Sequence, residues 1–267
     1  MTKAAQPAIR VGIGGWMFEP WRGTFYPDGL ARKRELEYAA GKLTSIEVNG
    51  TFYGAQKPET FARWRDETPD GFVFSLKGPR FTTNRRVLAE AGESVERFIG
   101  GGLLELKDKL GPINWQFAAT KKFDPEDFEA FLALLPREAG GRALRHAVEV
   151  RHGSFRTPEF VDMARRHGVA VVVAGDSDHP LIADPTADFV YLRIMGTGES
   201  HPLGYAPGAL DAWAGRARAY AAGGVPEDLD SVGKAPQAAP RDVYLYVISG
   251  HKVRNPAAAL ALIERLD

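Results

Sequence analysis

The chain has 267 residues, 44% of them hydrophobic, a length at which a single domain buries about three-quarters of its unfolded surface and needs no covalent staple. Its 34 Lys and Arg cancel its 34 Asp and Glu, which argues against coating nucleic acid or an acidic membrane through global charge but allows a local basic patch. Cysteine is absent, which excludes disulfides, thiolate zinc sites, iron–sulfur clusters and a Cys nucleophile. Met1 to Gln6 holds one lysine and no apolar signal-peptide core, and no stretch approaches the roughly 20 apolar residues of a membrane span, so a cytoplasmic protein without a membrane partner is expected.

After an N-terminal extension (1–8), short segments rich in β-branched and aromatic residues alternate with segments of helical spacing. Strand 9–14 is followed by helix 30–41, strand 44–49 by helix 58–67, and strand 72–77 by helix 93–109 with a break at Gly100-Gly101-Gly102. Strand 113–118 leads to helix 124–135, and strand 146–151 to helix 158–167. Strand 169–174 precedes the weakest interval, 177–188, where two prolines and little periodicity stand in the place of a sixth helix. Strand 189–195, a loop at 196–207, helix 208–222, an irregular stretch at 223–241, strand 243–248 and helix 256–266 complete the chain. Asp124-Pro125, Thr157-Pro158 and Asn255-Pro256 each set a capping side chain before a proline suited to the first helical position. Eight strands alternating with helices predict an α/β fold, a single (β/α)₈ TIM barrel over 9–267, with 223–241 a mobile connection on the stability face.

Alternation along the strands sorts side chains between the helices and the barrel axis. Apolar Ile46 and Val48 take the helix side of strand two, turning Ser45, Glu47 and Asn49 inward; the same rule turns in Ser75 and Lys77, Asn114 and Gln116, Glu149 and Arg151, and Tyr191 and Arg193. Asp176 continues the inward parity of strand six. Nearly all of these lie at C-terminal strand ends, where barrels of this class carry their sites. Three carboxylates, Glu47, Glu149 and Asp176, oppose three cations, Lys77, Arg151 and Arg193. Each ion costs several kcal/mol to desolvate, so a binding site accounts for six of them better than an internal salt-bridge lattice does.

The rim adds positive charge. Arg80, Arg85 and Arg86 follow strand three, and His152 ends strand five. His251, Lys252 and Arg254 lead into a helix N-terminus, where free backbone NH groups favour an anion. Glu47 and Glu149 are the acid/base candidates, with His152 as the third catalytic candidate. Asn49, Tyr53, Lys77, Arg80, Gln116, Arg151, Asp176, Arg193, His251, Lys252 and Arg254 are candidate substrate-binding residues. Asp176, His179, Glu149, His152 and Glu47 have the ligand types for a divalent ion, a lesser alternative because no HxH or HExxH spacing occurs and the neighbouring cations oppose a metal; no Walker or GxGxxG loop follows a strand, so neither metal nor cofactor is expected.

Six ordered motifs then become recognisable: Gly12 to Pro27 (GIGGWMFEPWRGTFYP), Glu47 to Tyr53 (EVNGTFY), Phe72 to Arg80 (FVFSLKGPR), Leu110 to Phe117 (LGPINWQF), Val148 to His152 (VEVRH) and Tyr191 to Gly196 (YLRIMG). Together they resemble the YecE-like family, domain of unknown function 72, over 9–266. The resemblance implies a TIM barrel and carries no established reaction. The chain departs from the family pattern at Asn84, at Ala118-Ala119, at Met195 and at Ile248-Ser249, while Glu47, Asn49, Lys77, Glu149, Arg151, His152, Asp176 and Arg193 are kept.

Three functions stay open on these residues. One is an enzyme, whether hydrolase, lyase or isomerase, for a small anionic substrate of phosphorylated or carbohydrate-like kind, with a Glu as acid/base and Arg and Lys as clamps. The second is a nucleic-acid-processing protein, less favoured because the cations form a pocket and not a stripe. The third is a barrel that binds a ligand without catalysis. The oligomeric state is left open.

Overall fold

The computed structural model describes residues 7–267; the expectation for Met1 to Gln6 lies outside the described residues. Eight parallel strand positions follow one another around a barrel: β1 (Ile9–Gly14), β2 (Ser45–Val48), β3 (Val73–Lys77), β4 (Leu110–Gln116), β5 (His146–Glu149), β6 in two pieces (Ala170–Val171 and Val173–Gly175), β7 (Phe189–Ile194) and β8 (Asp242–Val247). β1 pairs with both β2 and β8, Gly12 lying opposite Ser45 on one side and Tyr246 on the other. A Cβ at Gly12 would stand 2.0 Å from the Ser45 carbonyl oxygen, so only glycine permits that approach. The interruption of β6 at Val172 hands pairing from β5 to β7 and completes the ring. The expected (β/α)₈ TIM barrel is therefore the fold.

Among the described residues seven α-helices of six residues or more pack outside: α1 (Glu35–Ala40), α2 (Pro58–Asp66), α3 (Gly92–Ile99), α4 (Pro125–Leu134), α5 (Pro158–His167), α6 (Pro207–Ala221) and α7 (Asn255–Leu266); one-turn helices Gly50–Tyr53 and Arg80–Thr83 lie in the connections after β2 and β3. Asp124 accepts from the Asp127 NH and Thr157 from the Phe160 NH, both at 3.3 Å, so these two caps form as their sequences predict. The third does not. Asn255 already lies inside α7, and its Oδ1 accepts instead from Thr197 Oγ1 at 2.8 Å. The glycine triplet ends α3 at Ile99 and 3₁₀ turns over Leu103–Lys109 replace the rest of that predicted helix. No helix forms over 177–188.

Two apolar cores follow from strand alternation. One lies between strands and helices; the other fills the barrel with Val73, Ala147, Val172, Phe189, Tyr191, Tyr244, Tyr246 and Ile248 among others. Midway up, the Tyr191 and Tyr246 rings sit 5.1 Å apart, with the Ser75 and Ser45 hydroxyls 2.7 Å from their respective phenol oxygens. Polar groups thus begin halfway up the barrel and dominate its C-terminal end. At the other end the irregular 223–241 connection is anchored by Asp184, which accepts from the Val232 and Gly233 NH groups at 2.7 and 2.9 Å, and by Arg241, which donates to the Gly223 and Ala239 carbonyls.

Candidate functional site

β2, β5 and β7 each deliver one ion to the floor of the mouth. Glu47, Glu149 and Arg193 are 0%, 0% and 2% exposed. Arg193 donates through Nη1 to Glu149 Oε2 and through Nη2 to Glu47 Oε1 at 3.1 Å. Its Nε lies 3.1 Å from Glu47 Oε2 without the alignment of a hydrogen bond, a Coulombic contact only. Tyr191 donates to Glu47 Oε2 at 2.6 Å, and Arg151 Nε to Glu149 Oε1 at 2.8 Å. Asn114 Nδ2 bridges the pair, 3.4 Å from Glu47 and 3.3 Å from Glu149. All four carboxylate oxygens are engaged.

This lattice sets the proton equilibria. Burial alone would raise the Glu149 pKa, but Arg193, Arg151 and Lys77 outweigh it and hold the carboxyl at about 2. Burial would also lower the pKa of Arg193, and Glu149 and Glu47 carry it above its usual range instead. Burial and the Glu47 charge keep the Tyr191 phenol protonated, far above its usual range. Lys77 goes the other way: burial pushes it down, Glu47 and Glu149 pull it up, Arg193 and Arg151 push it down again, and it settles at about 8.

Above the floor opens a cavity of about 380 Å³. Lys77, Arg151, Arg193 and Lys252 bring positive charge to its wall, and Asn49, Gln116, Ser249, Asn255 and Tyr53 bring hydrogen-bonding groups; neither glutamate reaches it. Lys77 Nζ donates to Gln116 Oε1 at 2.7 Å and stands 4.0 Å from the Phe52 ring centre. Lys252 Nζ sits 4.2 Å from the Phe18 ring centre. Four cations face the cavity against two carboxylates beneath it.

The structure thus gathers Asn49, Tyr53, Lys77, Gln116, Arg151, Arg193 and Lys252 around one cavity, over Glu47 and Glu149. Other candidates stand apart. Arg80 is exposed at the rim with its guanidinium 5.7 Å from the Tyr53 ring centre. His152 Nδ1 accepts from the Ser154 NH at 3.1 Å and so starts the 3₁₀ turn Gly153–Phe155. The inward placement of Asp176 is corrected: a left-handed φ of 52° breaks the alternation after Gly175, and its carboxylate accepts from Trp213 Nε1 of α6 at 2.7 Å. Of the trio after β8 only Lys252 reaches the mouth. His251 lies outside the cavity lining, its NH donating to the Thr197 carbonyl, and Arg254 lines a separate surface groove with Phe25, Tyr38 and α7.

Sequence reasoning missed Phe52 beside Lys77 and considered His179 only as a ligand type for a divalent ion. His179 lies in the loop after β6, where burial and then the Arg151 charge lower its pKa. Loops carry no periodicity that would have marked it. Among the described residues no group of three or more His, Asp or Glu gathers in metal-holding geometry, and no helix is long and apolar enough to cross a membrane.

A closed eight-stranded β/α barrel with cations over a buried carboxylate pair at its C-terminal mouth defines the structural class. The chain belongs to the DUF72 family, whose model, described as a protein of unknown function, matches residues 10–267. Among curated relatives it is similar to the UPF0759 protein YecE of Escherichia coli K12, 33% identical over 150 residues, 55% of this chain and 50% of that protein. It is also similar to the UPF0759 protein YunF of Bacillus subtilis 168, 23% identical over 159 residues, 58% and 54% of the two chains. The chain matches about half the length of these curated relatives. A solved DUF72 family protein of Thermotoga maritima superposes with a TM-score of 0.74 at 23% identity, covering 97% of this chain and 99% of that one. One from Enterococcus faecalis gives 0.67 at 16% identity, covering 98% and 99%. At such identities the likeness speaks for the fold alone.

Proposed function

We propose that the mouth binds and acts on a small anionic compound, such as a phosphorylated or carboxylated metabolite. The observation that carries this reading is the vertical division of charge: Lys77, Arg151, Arg193 and Lys252 border the cavity, while the glutamates that balance two of them are buried below. A phosphate monoester or a dicarboxylate supplies the missing negative charge. Glu47 and Glu149 have every oxygen bonded within the lattice, so they orient Arg193 and Arg151 and do not meet the ligand themselves.

Calorimetric titration tests the reading. A sugar phosphate is expected to bind and its neutral parent sugar not to, with Arg151→Ala weakening the phosphate compound by about tenfold or more, the value of one charge-assisted bond of roughly 1.5 to 3 kcal/mol. Equal binding of the neutral sugar, or an unchanged affinity in the variant, would overturn it. A second reading, recognition of single-stranded nucleic acid, draws on the exposed Tyr53 and Phe81 at the rim, 70% and 52% accessible, which could stack bases. Several phosphate contacts give a steep salt slope and a single small anion does not, which separates the two.

A further inference from the structure

Glu47 and Glu149 form their ion pairs with Arg193 and Arg151. Lys77, 5% exposed at the end of β3, is left with Gln116 Oε1 as its hydrogen-bond acceptor and the face of Phe52 beside it. An ammonium has three donors, and a buried one kept only for stability normally finds a carboxylate. Lys77 instead borders the cavity, with two guanidiniums on the same wall. A desolvated lysine among other cations is the arrangement that yields a neutral, nucleophilic amine.

We propose that Lys77 is a catalytic nucleophile that forms an imine with the carbonyl carbon of a small aldehyde or ketone bearing a carboxylate or phosphate. The inference rests on the anion reading of the same cavity. Arg151, Arg193 and Lys252 hold the acidic group, which leaves the carbonyl end for the lysine. The Nζ lone pair attacks the carbonyl carbon and one proton passes from the nitrogen to the oxygen, giving a neutral carbinolamine. Departure of that hydroxyl as water, with loss of the nitrogen proton, leaves the C=N bond; one water is released per imine and no oxidant or reductant is consumed. The lowered pKa of Lys77, set by burial and by the opposed charges of Glu47, Arg193, Glu149 and Arg151, supplies the neutral amine near neutral pH.

The experiment uses the full chain at about pH 7.5 with cyanoborohydride, which reduces an imine to a permanent adduct, followed by intact mass and peptide mapping. The probes are glyoxylate, glycolaldehyde phosphate and neutral glycolaldehyde. Lys77 should be labelled about tenfold or more faster than the exposed Lys33. The two anionic arms tell a carboxylate from a phosphate handle. Neutral glycolaldehyde should label Lys77 far more slowly than the better anionic probe, and inorganic phosphate should slow that probe. Lys77→Arg, which keeps the charge, should lose the adduct.

Labelling spread over exposed lysines without preference for Lys77, while phosphate still binds, would overturn the imine and leave the anion site standing. Labelling of Lys77 as fast by glycolaldehyde and indifferent to phosphate would keep the reactive amine but overturn the anionic substrate class and the reading beneath it. Mapping on the unmodified chain decides between these outcomes even if the variant fails to fold.

Discussion

Arg193 stands where the cost of burial and the gain from pairing meet. Its guanidinium is removed from water, yet it binds both glutamates, which are themselves held by Arg151, Tyr191 and Asn114. Arg193→Ala should cost about 3 to 5 kcal/mol in unfolding experiments, because two carboxylates would stay buried with too little compensation. A variant as stable as the parent would contradict a dry lattice. The same lattice fixes a pH window. Glu149 titrates at about 2 in the fold against an ordinary 4.5, so its ionised form stabilises the folded state, fully above about pH 4.5 and progressively less as pH falls towards 2. Chemical unfolding across that window should give a falling stability whose slope is shallower in Glu149→Gln.

The connection between β6 and β7 does its work without a helix. Asp184 within it is 1% exposed and accepts from two backbone NH groups of the 223–241 stretch, with Arg165 3.5 Å away. Asp184→Ala should cost about 1 to 3 kcal/mol through the donors it strands and should speed limited proteolysis within 224–240. Unchanged cleavage would mean that Arg241 alone holds the segment. The barrel was legible in the chain because strand alternation and the Asp124 and Thr157 caps are local signals; α5 has the bounds expected of it. Features that depend on distant partners were not. Asn255 reads as a cap until Thr197, remote in sequence, takes its oxygen, and Asp176 reads as inward until a left-handed residue resets the parity. Parity gave the direction of Glu47 and Glu149 but not their depth, which is why two acid/base candidates lie beneath the cavity.

A net charge of zero conceals two unlike ends. At the N-terminal end Arg145 pairs with Asp242 at 2.7 Å and Asp188 at 3.6 Å, and its charge is matched. At the mouth Lys77 and Lys252 lie against aromatic rings. Among the described residues the large apolar side chains that stay exposed, Met17, Tyr53, Phe81, Val87 and Leu203, all belong to connections that follow strands, Tyr53 and Phe81 in one-turn helices, and therefore surround this same end. The proposed anion site would then be a polar well bordered by exposed aromatic and aliphatic side chains as well as by Arg80. The most direct measurement is the melting temperature in phosphate against chloride at matched ionic strength, for the parent chain, Lys252→Ala and Arg254→Ala. An anion held in the mouth predicts a phosphate-specific rise in the parent and in Arg254→Ala, whose side chain lines the outer groove, and a much smaller rise in Lys252→Ala. No rise in the parent, or a full rise in Lys252→Ala with its loss in Arg254→Ala, would contradict it.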